Sequence, residues 1–208
     1  MSHLEEISTD KIHFSDFVKE KIRVWFKMMD TTKDGFMAKE DFELIANRFA
    51  VQYNLDEDRA KEIYGWLVDG FKKVDNEHSG DVMPLVTQMA EAIKNGAKIS
   101  EDEYIGAIGQ LMTVDPLMAR NSLKSAVTLF FQIFDFDKDG FITCDELEKG
   151  LACFGYGNKE VIDKVFECMV KDHVGKMSQD EYVNAWLDFI FGEDKDNPFV
   201  KYFAPHLL

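Results

Sequence analysis

The chain has 208 residues, 24 basic against 39 acidic, for a formal charge of −15, and 46% of it is hydrophobic. That is enough apolar material for a real core, while the scarcity of clustered Lys and Arg excludes nucleic acid and an anionic membrane surface as partners. Cys144, Cys153 and Cys168 show no CxxC spacing, which excludes a disulfide framework or zinc ribbon.

The first residues carry no secretory or myristoylation pattern, and the longest apolar stretch, 127–134, is interrupted by Gln132 and too short to span a bilayer. The expectation is a cytoplasmic monomer with no membrane anchor. In chain order, a helix is predicted over 17–29, followed by the segment 30–41. There Asp30, Thr32, Asp34 and Gly35 occupy positions 1, 3, 5 and 6 of a twelve-residue calcium loop, Phe36 supplies the position-7 carbonyl, and Asp41 stands at position 12. Aspartate is one methylene shorter than the usual glutamate, so this loop is expected to admit Mg2+ as a competitor.

Helices over 39–52 and 56–74 follow, then a second loop at 75–86, in register through Gly80 and Val82 but with Val86 at position 12. A helix over 85–94 precedes the capping box Ser100-x-x-Glu103, which opens a helix to about 113, closed by Asp115-Pro116. After a helix over 118–134, the third loop, 135–146, matches the calcium pattern at every specified position. Asp135, Asp137, Asp139 and Glu146 supply carboxylates, Gly140 the turn and Phe141 the position-7 carbonyl. Helices over 145–153 and 159–169 lead to a fourth loop, 170–181, which keeps Gly175 and Glu181 but has Val at positions 1 and 5, and Ser178-x-x-Glu181 also reads as a plain capping box. A last long helix over 179–191 precedes an apolar tail, 197–208, expected to pack back on the body.

The register has an independent check. Phe26, Phe71, Phe131 and Phe166 stand four residues before each loop, and Met29, Val74, Phe134 and Met169 immediately before it. The i, i+3 spacing turns each pair to one helical face, so part of the large phenylalanine content is repeat architecture. The fold class is all-α. Four helix-loop-helix units form two paired lobes in one compact body with short loop-to-loop β pairs, divided as 1–98 (loops 30–41 and 75–86) and 99–208 (loops 135–146 and 170–181 with the tail).

These residues resemble the EF-hand family. The run Asp34-Gly35-Phe36-Met37-Ala38-Lys39-Glu40-Asp41-Phe42-Glu43-Leu44-Ile45-Ala46 is similar to the first hand of the branch containing sarcoplasmic calcium-binding proteins, calexcitins and coelenterazine-binding proteins. The run Leu187-Asp188-Phe189-Ile190-Phe191-Gly192 and the tail are similar to its end. The resemblance implies a cytosolic buffer of Ca2+ and Mg2+, or a luciferin carrier that releases its ligand on calcium binding.

From ligand count, two Ca2+ sites are expected, in the first and third loops, with the third more selective for Ca2+. The leading expectation is a buffer. The second is a carrier whose apolar small molecule would be lined by residues such as Trp25, Trp66, Tyr182 and Trp186, and the third is a sensor exposing a Met-rich groove to a protein partner. No P-loop, HExxH or nucleophile motif is present, so no enzyme is expected.

Overall fold

The computed structural model describes residues 13–68, 84–170 and 175–208. The second predicted loop through residue 83, Phe71, Val74 and part of the fourth loop therefore lie outside the described residues. Helix α1, Asp16–Met29, begins where the Ser15 hydroxyl accepts the Val18 N–H, and buries Val18, Ile22, Trp25, Phe26 and Met29 along one face. The short strand β1, Phe36–Met37, leads into α2, Lys39–Gln52, and α3 covers Glu57–Val68. Next come α4, Pro84–Lys94, β2, Ile99–Ser100, and α5, Glu101–Val114. The capping box is formed: the Ser100 hydroxyl accepts the Glu103 N–H while the Glu103 carboxylate accepts the Ser100 N–H at 2.8 Å.

Asp115 both ends α5 and caps α6, Pro116–Phe134, where the proline at the first helical position needs no hydrogen bond. The second half runs through β3, Phe141–Thr143, α7, Cys144–Cys153, α8, Lys159–Met169, β4, Lys176–Ser178, and α9, Gln179–Phe191. The tail forms α10, Pro198–Phe203, and a 3-10 turn, Pro205–Leu207.

Two antiparallel ladders join the loops. Phe141, Ile142 and Thr143 face Ser178, Met177 and Lys176, so the third and fourth loops pair as the repeat predicts. In the first lobe, however, Phe36 and Met37 face Ser100 and Ile99. This corrects the assignment of 75–86 as the partner loop, whose last predicted residues, 84–86, lie within α4. The partner hand is built by α4 and α5 around β2. With Ile99 at position 8 and Glu103 at position 12, Ala92, Lys94 and Gly96 occupy positions 1, 3 and 5, and none offers a side-chain oxygen. Helix α4 runs to Lys94 and closes through Gly96 N–H to the Ile93 carbonyl and Ala97 N–H to the Ala92 carbonyl, with Gly96 at φ +91°, a helix C-terminal turn. The β1–β2 ladder crosses the predicted boundary at 98/99.

The two pairs share one interior. The Trp25 and Trp186 rings meet edge to face at 5.3 Å, Phe49 meets Phe134 at 6.0 Å, and the Tyr53 hydroxyl donates to the Glu146 carbonyl across the halves. Phe26, Met29, Phe131, Phe134, Phe166 and Met169, the repeated pre-loop residues, are all buried. The tail packs inward as expected: Phe199 and Phe203 are buried against Trp186 and Phe189 at 5.6–6.4 Å between ring centres. Most of the aromatic excess is therefore core.

Candidate metal centres

The third loop is preorganised by its own backbone. Asp135, nearly buried at the end of α6, accepts the Asp139 N–H at 3.1 Å and the Gly140 N–H at 3.0 Å. Gly140 stands at φ +86°, a left-handed conformation that costs a residue with a Cβ. Ligand oxygens of Asp135, Asp137 and Asp139 lie within 4.8 Å of one another. Glu146 is held at the start of α7, one oxygen accepting the Phe136 N–H at 3.0 Å and the other the Thr143 N–H at 2.9 Å. The Phe141 ring is exposed, which leaves its backbone carbonyl as the group it can offer. An all-oxygen set of clustered carboxylates suits a hard divalent cation, Ca2+ above all. Burial pushes the Asp135 carboxyl up, aided by the Asp139 and Glu146 charges and opposed by the Gly140 and Asp139 N–H groups.

The first loop repeats this frame with differences. Asp30 accepts the Asp34 and Gly35 N–H groups at 3.2 and 3.0 Å, and Gly35 stands at φ +85°. Asp41, fully buried, accepts the Ala38 N–H at 2.8 Å and the Thr32 N–H at 2.9 Å. Its shorter arm is thus drawn to the loop backbone, and among the described residues the carboxylates of Asp30, Asp34 and Asp41 do not gather as those of the third loop do. Thr32, Asp34 and Phe36 are exposed.

Sequence reasoning assigned no role to two lysines on the partner hands. Lys98 Nζ lies 3.1 Å from Asp34 Oδ2, and Lys176 Nζ is bonded to Asp139 Oδ2. Each lysine holds its carboxyl below the ordinary aspartate range. The signal was present as a parallel between Lys98-Ile99-Ser100-x-x-Glu103 and Lys176-Met177-Ser178-x-x-Glu181.

A separate apolar cavity of about 110 Å³ is lined by Trp25, Met29, Leu67, Met89, Tyr104 and Phe130 among others. Of the four aromatic residues expected around a ligand, only Trp25 lines it. Tyr182 and Trp186 are locked in the core stack and Trp66 is half-buried against Arg59.

Paired helix-loop-helix units with acidic loops joined by short ladders define a calcium-binding EF-hand protein, and residues 124–187 match the family model of an EF-hand domain pair. The similarities support the branch of the EF-hand superfamily that includes sarcoplasmic calcium-binding proteins and coelenterazine-binding proteins. The chain is 25% identical over 180 residues to a sarcoplasmic calcium-binding protein of Mizuhopecten yessoensis, covering 86% of this chain and 93% of that one. It is also 25% identical over 177 residues to a luciferin-binding protein of Renilla reniformis, covering 83% and 85%. Its fold is that of the coelenterazine-binding protein of Renilla muelleri in its calcium-loaded apo form, with a TM-score of 0.69 at 20% identity over 91% of this chain and 98% of the other. Plant calcium-dependent protein kinases also match, but the chain spans only 29% of one from Oryza sativa subsp. japonica that is 30% identical to it.

Among the described residues, no helix is long and apolar enough to cross a membrane.

Proposed function

We propose that the protein is a cytoplasmic Ca2+/Mg2+ buffer that binds one ion in each of loops 30–41 and 135–146. The carrying observation is the convergence of Asp135, Asp137 and Asp139, with Glu146 positioned on the same loop frame. In the first loop Asp30, Thr32, Asp34, the Phe36 carbonyl and Asp41 form the second cage, and its shorter position-12 arm favours Mg2+ there. The mechanism is mass action. Each ion bound only by the folded state stabilises it by about 2.7 kcal/mol at a concentration 100 times the dissociation constant. A buffer is favoured over a sensor because Met28, Met37, Met112, Met169 and Met177 are buried and the tail already covers apolar core. Calorimetric titration tests this: two Ca2+ per chain, the stronger site lost in Glu146→Gln and the Mg2+-sensitive one in Asp30→Ala. An unchanged isotherm in Glu146→Gln defeats the assignment.

The apolar cavity favours a second reading, a carrier of a hydrophobic luciferin. Its size weighs against that reading in this conformation. About 110 Å³ falls below even a cavity of roughly 150 Å³ that admits benzene, and well below the roughly 300–1,000 Å³ of ligand sites. Adding coelenterazine to the ion-free protein decides the matter: stoichiometric binding reversed by Ca2+ would establish the carrier and displace the buffer reading.

A further inference from the structure

The two hands poorer in ion ligands make the same contact with the two that carry the acidic loops. Lys98 and Lys176 both occupy position 7 of their loops, and both reach across the ladder to the position-5 carboxylate of the partner, Asp34 and Asp139. The correspondence extends to each oxygen. Asp34 Oδ1 accepts the Phe36 N–H at 3.0 Å and its Oδ2 takes Lys98, while Asp139 Oδ1 accepts the Phe141 N–H at 2.9 Å and its Oδ2 takes Lys176. The lysine nitrogens also stand at matching distances from the rings of the position-7 phenylalanines, 6.0 Å from Phe36 and 5.9 Å from Phe141. In both loops, then, the one oxygen of the position-5 carboxylate not bound to backbone is held by an ammonium group.

From this we propose that the ligand-poor hands set the affinity of the ion-binding hands: Lys98 and Lys176 hold the position-5 carboxylates and compete with Ca2+ for them. The inference rests on the two-site reading above and explains what the ligand-poor hands contribute besides a strand. A divalent ion that draws on the oxygen the ammonium holds does so at the expense of the ion pair. A lysine left nearby afterwards repels the ion. Both effects weaken Ca2+ binding, and both are electrostatic, so salt reduces them. The ion pairs are partly exposed, which limits each effect to the size of a surface pair.

The experiment is a calorimetric Ca2+ titration of Lys98→Met and Lys176→Met at low ionic strength. Each variant tightens its own loop by about two- to five-fold, the scale of an exposed ion pair, and leaves the other loop unchanged. The gain shrinks in about 0.5 M salt, where charges are screened within a few Å, and Lys176→Arg restores the wild-type value. Lys61→Met, which removes an exposed lysine paired with Glu57 on its own helix, controls for net charge alone. Thermal melts in chelator supply a second readout, since losing the ion pair lowers the midpoint of the ion-free protein. Equal Ca2+ affinities in wild type and both variants, or the same gain in Lys61→Met, overturn the inference alone. A wild-type chain that binds no Ca2+ overturns the two-site reading.

Discussion

Lys21 is the least expected side chain in the interior. It lies on α1, only 1% exposed, donates to the Gly192 carbonyl at the end of α9, and stands 4.5 Å from the centre of the Phe17 ring. Burial lowers its pKa from 10.5 to about 8, against the opposing pull of Glu193 and Asp194. The folded state therefore releases this proton more readily than the unfolded chain. Between about pH 8 and 10.5 the unfolded state binds more protons, so this group's contribution to stability rises with pH; below 8 the fold carries its full penalty. At 1.36 kcal/mol per pH unit the whole gap is worth roughly 3.4 kcal/mol, of which about 2.5 is recovered between pH 7 and 10. The perturbation is Lys21→Met, which keeps the volume and removes the charge. Because it also leaves the Gly192 carbonyl without its donor, a loss of about 1–3 kcal/mol, the variant's stability at one pH is ambiguous. Its dependence on pH is not. Urea unfolding of wild type and variant at pH 7 and 10, at one fixed Ca2+ concentration, should show wild type gaining about 2.5 kcal/mol relative to Lys21→Met. A difference that stays flat across that range refutes the buried-ammonium account.

Three further outcomes follow from the geometry. Gly140→Ala meets no atom within 4 Å but must adopt φ +86°, so it should cost about 1–2 kcal/mol by thermal melt, while Gly157→Ala, at an ordinary φ with equal space, should cost less. Phe199→Ala should destabilise the protein by about 3–5 kcal/mol in urea, because the tail ring is buried against Trp186, Phe189 and Phe203; a loss under 1 kcal/mol would mean the tail is not part of the core. Thiol labelling at neutral pH should modify exposed Cys168 first, since burial pushes Cys144 up to about 11 and Cys153 up to about 12, and equal labelling of all three would contradict their placement.

What the sequence by itself determined is what short-range chemistry encodes. Asp135 to Glu146 is readable because one ion needs its oxygens, its turn and its reaching carboxylate at fixed spacing along the chain. The helix bounds 39–52, 159–169 and 179–191 coincide with α2, α8 and α9, and caps such as Ser178 and Glu181 act within one turn. Tertiary structure alone decided which strand completes the first lobe. Gly80 and Val82 satisfied the loop template, while the true partner, Ile99–Ser100, has Ala97 at position 6 and no ligand oxygen at positions 1, 3 or 5. Its identity depends on backbone hydrogen bonds between segments some sixty residues apart, and those bonds ask only for an extended chain at the right place. The same long-range pairing brings Lys98 to Asp34 and Lys176 to Asp139, and the packing of α1 against α9 buries Lys21. Residue identity made each group available; only the ladders and the shared core determined what each would touch.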